Sequence, residues 1–345
     1  MLTIDGSIGE GGGQALRTSL SLSLTSGAPF RIENIRARRS RPGLMRQHLT
    51  AVQAAAAIGC ATLRGAEIGS TTLEFEPTAL RCGEHRFSIG SAGSATLVLQ
   101  TILPALLRGA APSTVIVEGG THNPLAPPFE FLERVYLPLL RRMGANVTCT
   151  LERHGFYPAG GGRVRLDVTP AGALTPIEIL ARGAALTHRA TAIFASLPFE
   201  IVRRELDTVR AQLGWDDAAC QPRTVSDSAG PGNVVELELQ FAGVTELVAS
   251  FGERGVAAED VAQRAVDEAK EYLASNAPVG RHLADQLLLP MTLAGGGAFV
   301  SLSPSPHFDT QCAILQRFGR ASVQRTALAD GTWRFDVLAA PATAA

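Results

Sequence analysis

Arg86-Phe-Ser-Ile-Gly90-Ser-Ala-Gly-Ser94 leads into Ala95-Thr-Leu-Val-Leu-Gln-Thr-Ile-Leu-Pro-Ala-Leu-Leu107, and Thr114-Val-Ile-Val-Glu118 follows. The stretch reads as a short strand, a Gly/Ser-rich turn, a helix of small apolar residues and a second strand. Two other segments have this shape. Leu2–Ile35 carries Gly6-Ser-Ile-Gly-Glu-Gly-Gly-Gly-Gln14, a helical run Ala15–Thr25 and a strand-like Phe30–Ile35. Further on, a helical run Arg281–Leu293 precedes a strand-like Ala298–Ser303. Self-similarity of this kind points to repeated supersecondary units.

A second shape follows each copy of the first: a helix ending near a glycine, then two strands. The copies are Leu44–Ile58 with Gly59, then 61–64 and 72–76; 128–143 with Gly144, then 146–152 and 163–168; and 310–318 with Gly319, then 322–326 and 332–337. Glycine is the expected cap of these helices, because it takes φ > 0 freely. The main body therefore reads as three βαβαββ units, each a small sheet covered by two helices on one face, in an α+β arrangement. The frame breaks between about Arg182 and Asn276. Ile177–Leu180 opens the third unit, yet its helix arrives only after Pro278. Between them lie a helical run Glu200–Leu213, alternating strands 234–241 and 246–251, and a second helical run 257–273. The expectation is a large three-repeat domain of residues 1–182 and 277–345, with a smaller α/β domain, residues 183–276, inserted in the third unit.

The 345 residues, 46% hydrophobic and 18% charged, suffice for a sizeable core and do not have the composition of a disordered chain. Net charge is −1, so any nucleic-acid site must be a local basic patch. There is no apolar run long enough for a membrane span, and Met1–Asp5 goes straight into a strand-like pattern without an export signal. Cys60, Cys82, Cys149, Cys220 and Cys312 are scattered, with no CxxC spacing. That points to reduced thiols in a cytoplasmic compartment and against a structural zinc site. Lys270 is the only lysine, and no Gly-x-x-x-x-Gly-Lys-Ser/Thr loop occurs, which disfavours a lysine nucleophile.

Several constellations have a chemical reading beside a plain one. Ser303-Pro-Ser-Pro-His-Phe-Asp-Thr-Gln311 leaves a strand at two prolines, with Asp309 or Thr310 as the expected helix cap. His307 then stands at a helix N-terminus, which favours phosphate and keeps imidazole neutral and nucleophilic. The plain reading is a loop histidine without a role. Gly9–Gln14, flanked by Glu10 and Arg17, is either an anion-binding turn or a tight turn on a sheet. Arg36, Arg38, Arg39, Arg41 and Arg46, followed by Gln47 and His48, suit phosphate or an RNA end, or form a solvated basic loop. Gln100 lies in an apolar run and must find partners. Asp285 and Gln286 sit in a first helical turn, as capping groups or contacts. The aromatics of His154–Gly162 either stack on a base or pack a turn, and His122-Asn-Pro124 is either a site rim or a loop.

Together these stretches resemble, along the full chain, the RNA 3′-terminal phosphate cyclase family. The matching motifs are Gly9–Gln14, Arg36–His48, Ile89–Gln100, His154–Gly162, Leu283–Gln286 with Leu289–Gly295, and Pro304–Thr310. The resemblance implies the three-repeat fold with an inserted domain. It also implies a ligase-type nucleotidyl transferase that converts an RNA 3′-phosphate end to a 2′,3′-cyclic phosphate. Its substrates would be ATP and RNA, with a divalent cation, Mg²⁺ or Mn²⁺, whose ligands the sequence does not name. By motif position His307 is the adenylated nucleophile. Gln100, His282, Leu283, Ala284, Asp285 and Gln286 match nucleotide contacts. Glu10, Arg17, Arg36, Arg39, Gln47 and His48 match positions near the phosphates and RNA end. Two departures stand out: Gln311 replaces the family's asparagine, and Arg38 replaces a small residue. A catalytically silent, RNA-binding relative in ribosome biogenesis is the alternative, but such relatives lack the histidine. A carboxyvinyl-transfer enzyme of similar architecture would need a lysine-lined cleft.

Overall fold

The chain opens with β1 (Leu2–Asp5), α1 (Gln14–Ser26), β2 (Phe30–Glu33), α2 (Arg46–Gly59), β3 (Thr62–Arg64) and β4 (Leu73–Glu76), in a computed structural model that describes residues 1–170 and 172–340. The pattern recurs as β5 (Gly83–Ser88), α3 (Ala95–Leu106), β6 (Ser113–Gly119), α4 (Phe129–Phe131), α5 (Leu137–Arg142), β7 (Asn146–Arg153) and β8 (Gly162–Thr169). β9 (Ile177–Ile179) begins a third copy. The chain then makes β10 (Ala185–Ala195), α6 (Phe199–Leu213), β11 (Cys220–Thr224), β12 (Gly232–Phe241), β13 (Thr245–Phe251) and α7 (Ala258–Ala274). It returns with α8 (Arg281–Leu293), β14 (Gly297–Ser301), α9 (Pro306–Arg317), β15 (Ala321–Ala327) and β16 (Trp333–Ala339). The end of the expected 277–345 segment, residues 341–345, lies outside the described residues.

Three sheets have one topology: β1-β2-β4-β3, β5-β6-β8-β7 and β9-β14-β16-β15. In each, the first two strands pair parallel and the other pairs are antiparallel. Pro104 in α3 and Pro290 in α8 each sit nine residues after the first helical residue, so the kinship extends to a single side chain. The fourth sheet, β11-β10-β12-β13, has a different order and its own apolar cluster against α6 and α7. Leu20 of α1, Ile102 of α3 and Leu287 of α8 are fully buried in one shared core. At about 1.5–3 kcal/mol for each such side chain, this helix-to-helix burial holds the three units together.

Four expectations are corrected. Gly59 does not cap its helix: Cys60 takes the left-handed position with φ 43°, and a Cβ on Gly59 would come within 2.4 Å of Leu24, so that glycine serves close helix packing. The continuous 128–143 helix is interrupted by a π-helical turn, Leu132–Tyr136. Pro138 lacks the N–H for the ordinary register, and Leu137 bonds back to the carbonyl of Leu132 instead. β10 and β11 were unforeseen, because Leu186, Thr187, His188 and Arg189 are exposed on the outer stretch of β10 and do not alternate. The cap of α9 is Ser305, whose side chain accepts from the Phe308 N–H at 3.1 Å, with Pro306 in the first turn. All five cysteines are free, and among the described residues no helix is long and apolar enough to cross a membrane.

Candidate active site

α1, α3 and α8, the first helix of each repeat, turn one side into a common pocket of about 790 Å³. Gln14, Arg17, Thr18 and Ser21 face it from α1, and Gln100 and Thr101 from α3. From α8 come His282, Asp285, Gln286 and Leu289, spaced as one helical side. Leu283 and Ala284 are therefore turned away, buried in the core, and do not line the pocket. Gln100 finds its partner across the pocket, donating to the Gln286 amide oxygen.

His307 enters from the first turn of α9 with its side chain half exposed. Its Nδ1 lies 2.7 Å from the Gln14 amide oxygen. The orientation of that amide is set from the other end, because Gln14 Nε2 donates to Asp285 at 2.9 Å and to Gln311 at 3.3 Å. Gln14 thus offers only an acceptor to His307, which must carry its proton on Nδ1. Nε2 is left with a free lone pair, 3.1 Å from a Glu10 oxygen. Burial holds His307 below the ordinary histidine value, against the opposing pull of Glu10 and with Arg17 and Arg39 reinforcing it. The ring is neutral at neutral pH. Burial lifts Asp285 to about 6.

The glycine turn is pressed against this helix start. A Cβ on Gly9 would fall 2.0 Å from Thr310 Oγ1, the atom that accepts the Glu10 N–H, and φ there is +62°. Gln311 is buried, and its side-chain oxygen accepts from Thr18 as well as Gln14. The longer amide arm reaches into the core and braces the residue that orients His307.

Positive charge collects on one side. Arg17 and Arg36 line the pocket and form no ion pair among the described residues, while Arg39 pairs with Glu10 at 2.6 Å. Burial draws Arg17 down to about 10. His48, among these arginines, is pushed to about 3 by burial first and by their charges next, and its Nδ1 is left unpartnered. Gln47 lines the pocket while its oxygen accepts the Ser94 N–H at 2.7 Å. Of the remaining arginines, Arg38 holds the Gly9 carbonyl and Arg46 the Gly90 carbonyl; neither they nor Arg41 line the pocket.

Sequence reasoning missed two contributors. Gln14 belongs to a quoted motif but was not singled out. The fourth sheet supplies a pocket wall through Leu247, Ala249 and Phe251 of β13, and α7 adds Arg264 and Glu268, the latter paired with His282 at 3.1 Å. The other strands' side chains gave no local sign of this. The 154–162 turn, by contrast, does not reach the pocket: Phe156 is buried against Ile193 and Val234 of the fourth sheet, and His154 bonds Asp227. Asn123 and Pro124 do form part of the rim, whereas His122 is buried behind it. For a hard divalent cation, Glu10 is the fitting donor, a carboxylate oxygen facing the pocket beside the reactive nitrogen.

The family model for RNA 3′-terminal phosphate cyclase matches residues 8–324. A protein of that description from Ectopseudomonas mendocina is 52% identical over 317 residues, 92% of each chain. One from Koribacter versatilis is 50% identical over 92% of this chain and 90% of its own, and one from Ralstonia nicotianae 52% identical over 92% and 91%. The chain belongs to the RNA 3′-terminal phosphate cyclase family.

Proposed function

We propose that this enzyme converts an RNA 3′-terminal phosphate to a 2′,3′-cyclic phosphate in an ATP-dependent reaction with His307 Nε2 as nucleophile. The lone pair on Nε2 attacks the α-phosphorus of ATP; the bond to the β-phosphate oxygen breaks and pyrophosphate departs. The adenylated ring keeps its Nδ1 proton, so it has imidazolium character and later leaves as neutral imidazole. A 3′-phosphate oxygen of the RNA takes the AMP. The neighbouring 2′-hydroxyl then attacks that phosphate, loses its proton and expels AMP.

The single observation that carries this reading is the Asp285–Gln14–His307 chain of hydrogen bonds, which presents Nε2 to a pocket lined by unpaired guanidinium groups. Arg17, Arg36 and Arg39 offset the charge of the triphosphate and of the leaving pyrophosphate. A divalent cation, Mg²⁺ or Mn²⁺, held by Glu10 together with phosphate oxygens, would supply further neutralisation. The apolar rim at Pro124, Pro127 and Phe131, together with the hydrogen-bonded Gln100 and Gln286, suits the nucleotide base. The reading includes a three-repeat domain of residues 1–182 and 277–345 and an inserted α/β domain of residues 183–276, supported by the shared strand orders and the separate apolar cluster. A cytoplasmic location accompanies it, supported by the five free thiols.

Incubation with α-labelled ATP and a divalent cation is expected to give a labelled, acid-labile, base-stable protein. His307→Ala should abolish the label, while His282→Ala keeps some. Label that persists without His307 would refute the assignment.

A further inference from the structure

Behind the pocket rim, where the second repeat meets the fourth sheet, His122, Glu130 and Glu236 each bring a ligand atom within 4.8 Å of the others. All three side chains are buried, at 1%, 1% and 2% exposure. Thr121 Oγ1 accepts the Gly155 N–H at 2.9 Å and lies 2.8 Å from His122 Nδ1. Nε2, the ring nitrogen turned away from Thr121, is the one that faces the glutamates, 2.6 Å from a Glu130 oxygen. Glu236 adds a third donor, and its Oε1 is buried with no hydrogen-bond partner.

Glu130 pairs with Arg223 at 3.1 Å and Glu238 with Arg134 at 2.8 Å, which leaves Glu236 without an ion pair among the described residues. A buried carboxyl group without a partner is unfavourable. A divalent cation beside it would occupy the unpartnered oxygen.

We infer that His122, Glu130 and Glu236 bind one divalent first-row transition cation, of the zinc or manganese class, as a structural clamp between the 121–130 segment and β12. An imidazole with two carboxylates suits such ions better than magnesium or calcium. Thr121 orients the imidazole from behind, the usual outer-shell arrangement of a histidine ligand. The clamp would fix the Asn123–Pro124 rim against the sheet that forms a pocket wall. This site is distinct from the Glu10 position beside His307, and with no cysteine in it, no sequence spacing announced it.

The test is the metal content of the purified full chain after incubation with zinc or manganese chloride and desalting, read by mass spectrometry of the elements. About one equivalent of one ion per chain is expected. Glu236→Gln, which keeps the side-chain shape, should lower it by about tenfold or more, as should His122→Ala. His307→Ala and Glu10→Gln should retain it. Wild-type protein that holds no ion after loading overturns the inference, and so does a folded Glu236→Gln protein that holds as much as wild type. If His122→Ala does not fold, the Glu236→Gln result decides alone.

Discussion

The pocket and the junction behind its rim are both buried and both charged, but the leftover sign differs. The pocket keeps Arg17 and Arg36 without ion-pair partners among the described residues, whereas the junction leaves the buried Glu236 without one. Neither arrangement serves folding alone, since an uncompensated buried charge costs several kcal/mol. Each makes sense as half of a pair whose other half is a ligand: an anion for the pocket, a cation for the junction. The difference also separates two kinds of histidine. His307 is half exposed and oriented by an amide, as a nucleophile needs, whereas His122 is wholly enclosed and oriented by a hydroxyl, as a ligand needs.

The comparison can be broken most sharply at Gln14. Gln14→Ala removes the acceptor that holds the Nδ1 proton, and label incorporation from ATP should fall on the order of 10²–10³-fold with little change in melting temperature. An unchanged adenylation rate would mean that charge alone, and not the orientation of His307, makes the pocket reactive. Arg17→Met sharpens the charge side. It replaces a partly buried cation that has no ion-pair partner among the described residues by an apolar chain of similar length. The nucleotide-free protein should melt at a higher temperature while adenylation falls about 10- to 100-fold. A lower melting temperature would show that Arg17 is needed by the fold and is not held in reserve for phosphate.

His48 gives an effect on stability alone, and one with a definite sign. Its folded value, about 3, lies below its unfolded value near 6.5, so the unfolded chain takes up a proton that the folded chain refuses. Stability from this group is intact above pH 6.5 and drains by about 1.4 kcal/mol per pH unit as pH falls toward 3. The wild type minus His48→Gln difference in unfolding free energy should follow that slope between pH 6 and 4. A flat difference would mean that neither burial nor the arginines around His48 hold it neutral.

Much of the architecture was legible because repetition repeats its own punctuation. The turns at Gly9–Gln14 and Gly90–Ser94 and the helical runs behind them recur in one order, and the strands that follow alternate visibly. His307 was legible only in part: Pro304 and Pro306 mark a strand exit and a helix start, but the cap expected at Asp309 or Thr310 is Ser305, and the proposed role of nucleophile came from the family resemblance. What stayed hidden depends on chain crossing. Nothing near Gln14 in sequence says that Asp285 and Gln311 will fix its amide. Leu247 and Phe251 look like ordinary strand residues until β13 is placed beside the pocket. Leu283 and Ala284 were included because a motif is contiguous, whereas a helix presents only every third or fourth residue to one side. His122, Glu130 and Glu236 come from separate segments, so their spacing is meaningless until the fourth sheet docks.

The hydrogen bond between Gln14 and Gln311 spans 297 positions, and β9 meets β14 only after the whole 185–274 stretch has been made. The arginines of the pocket lie at positions 17–39, whereas His307 and Gln311 follow some 270 residues later. The proposed reactive centre is thus assembled from both ends of the chain, and contacts so distant in sequence are expected to form slowly.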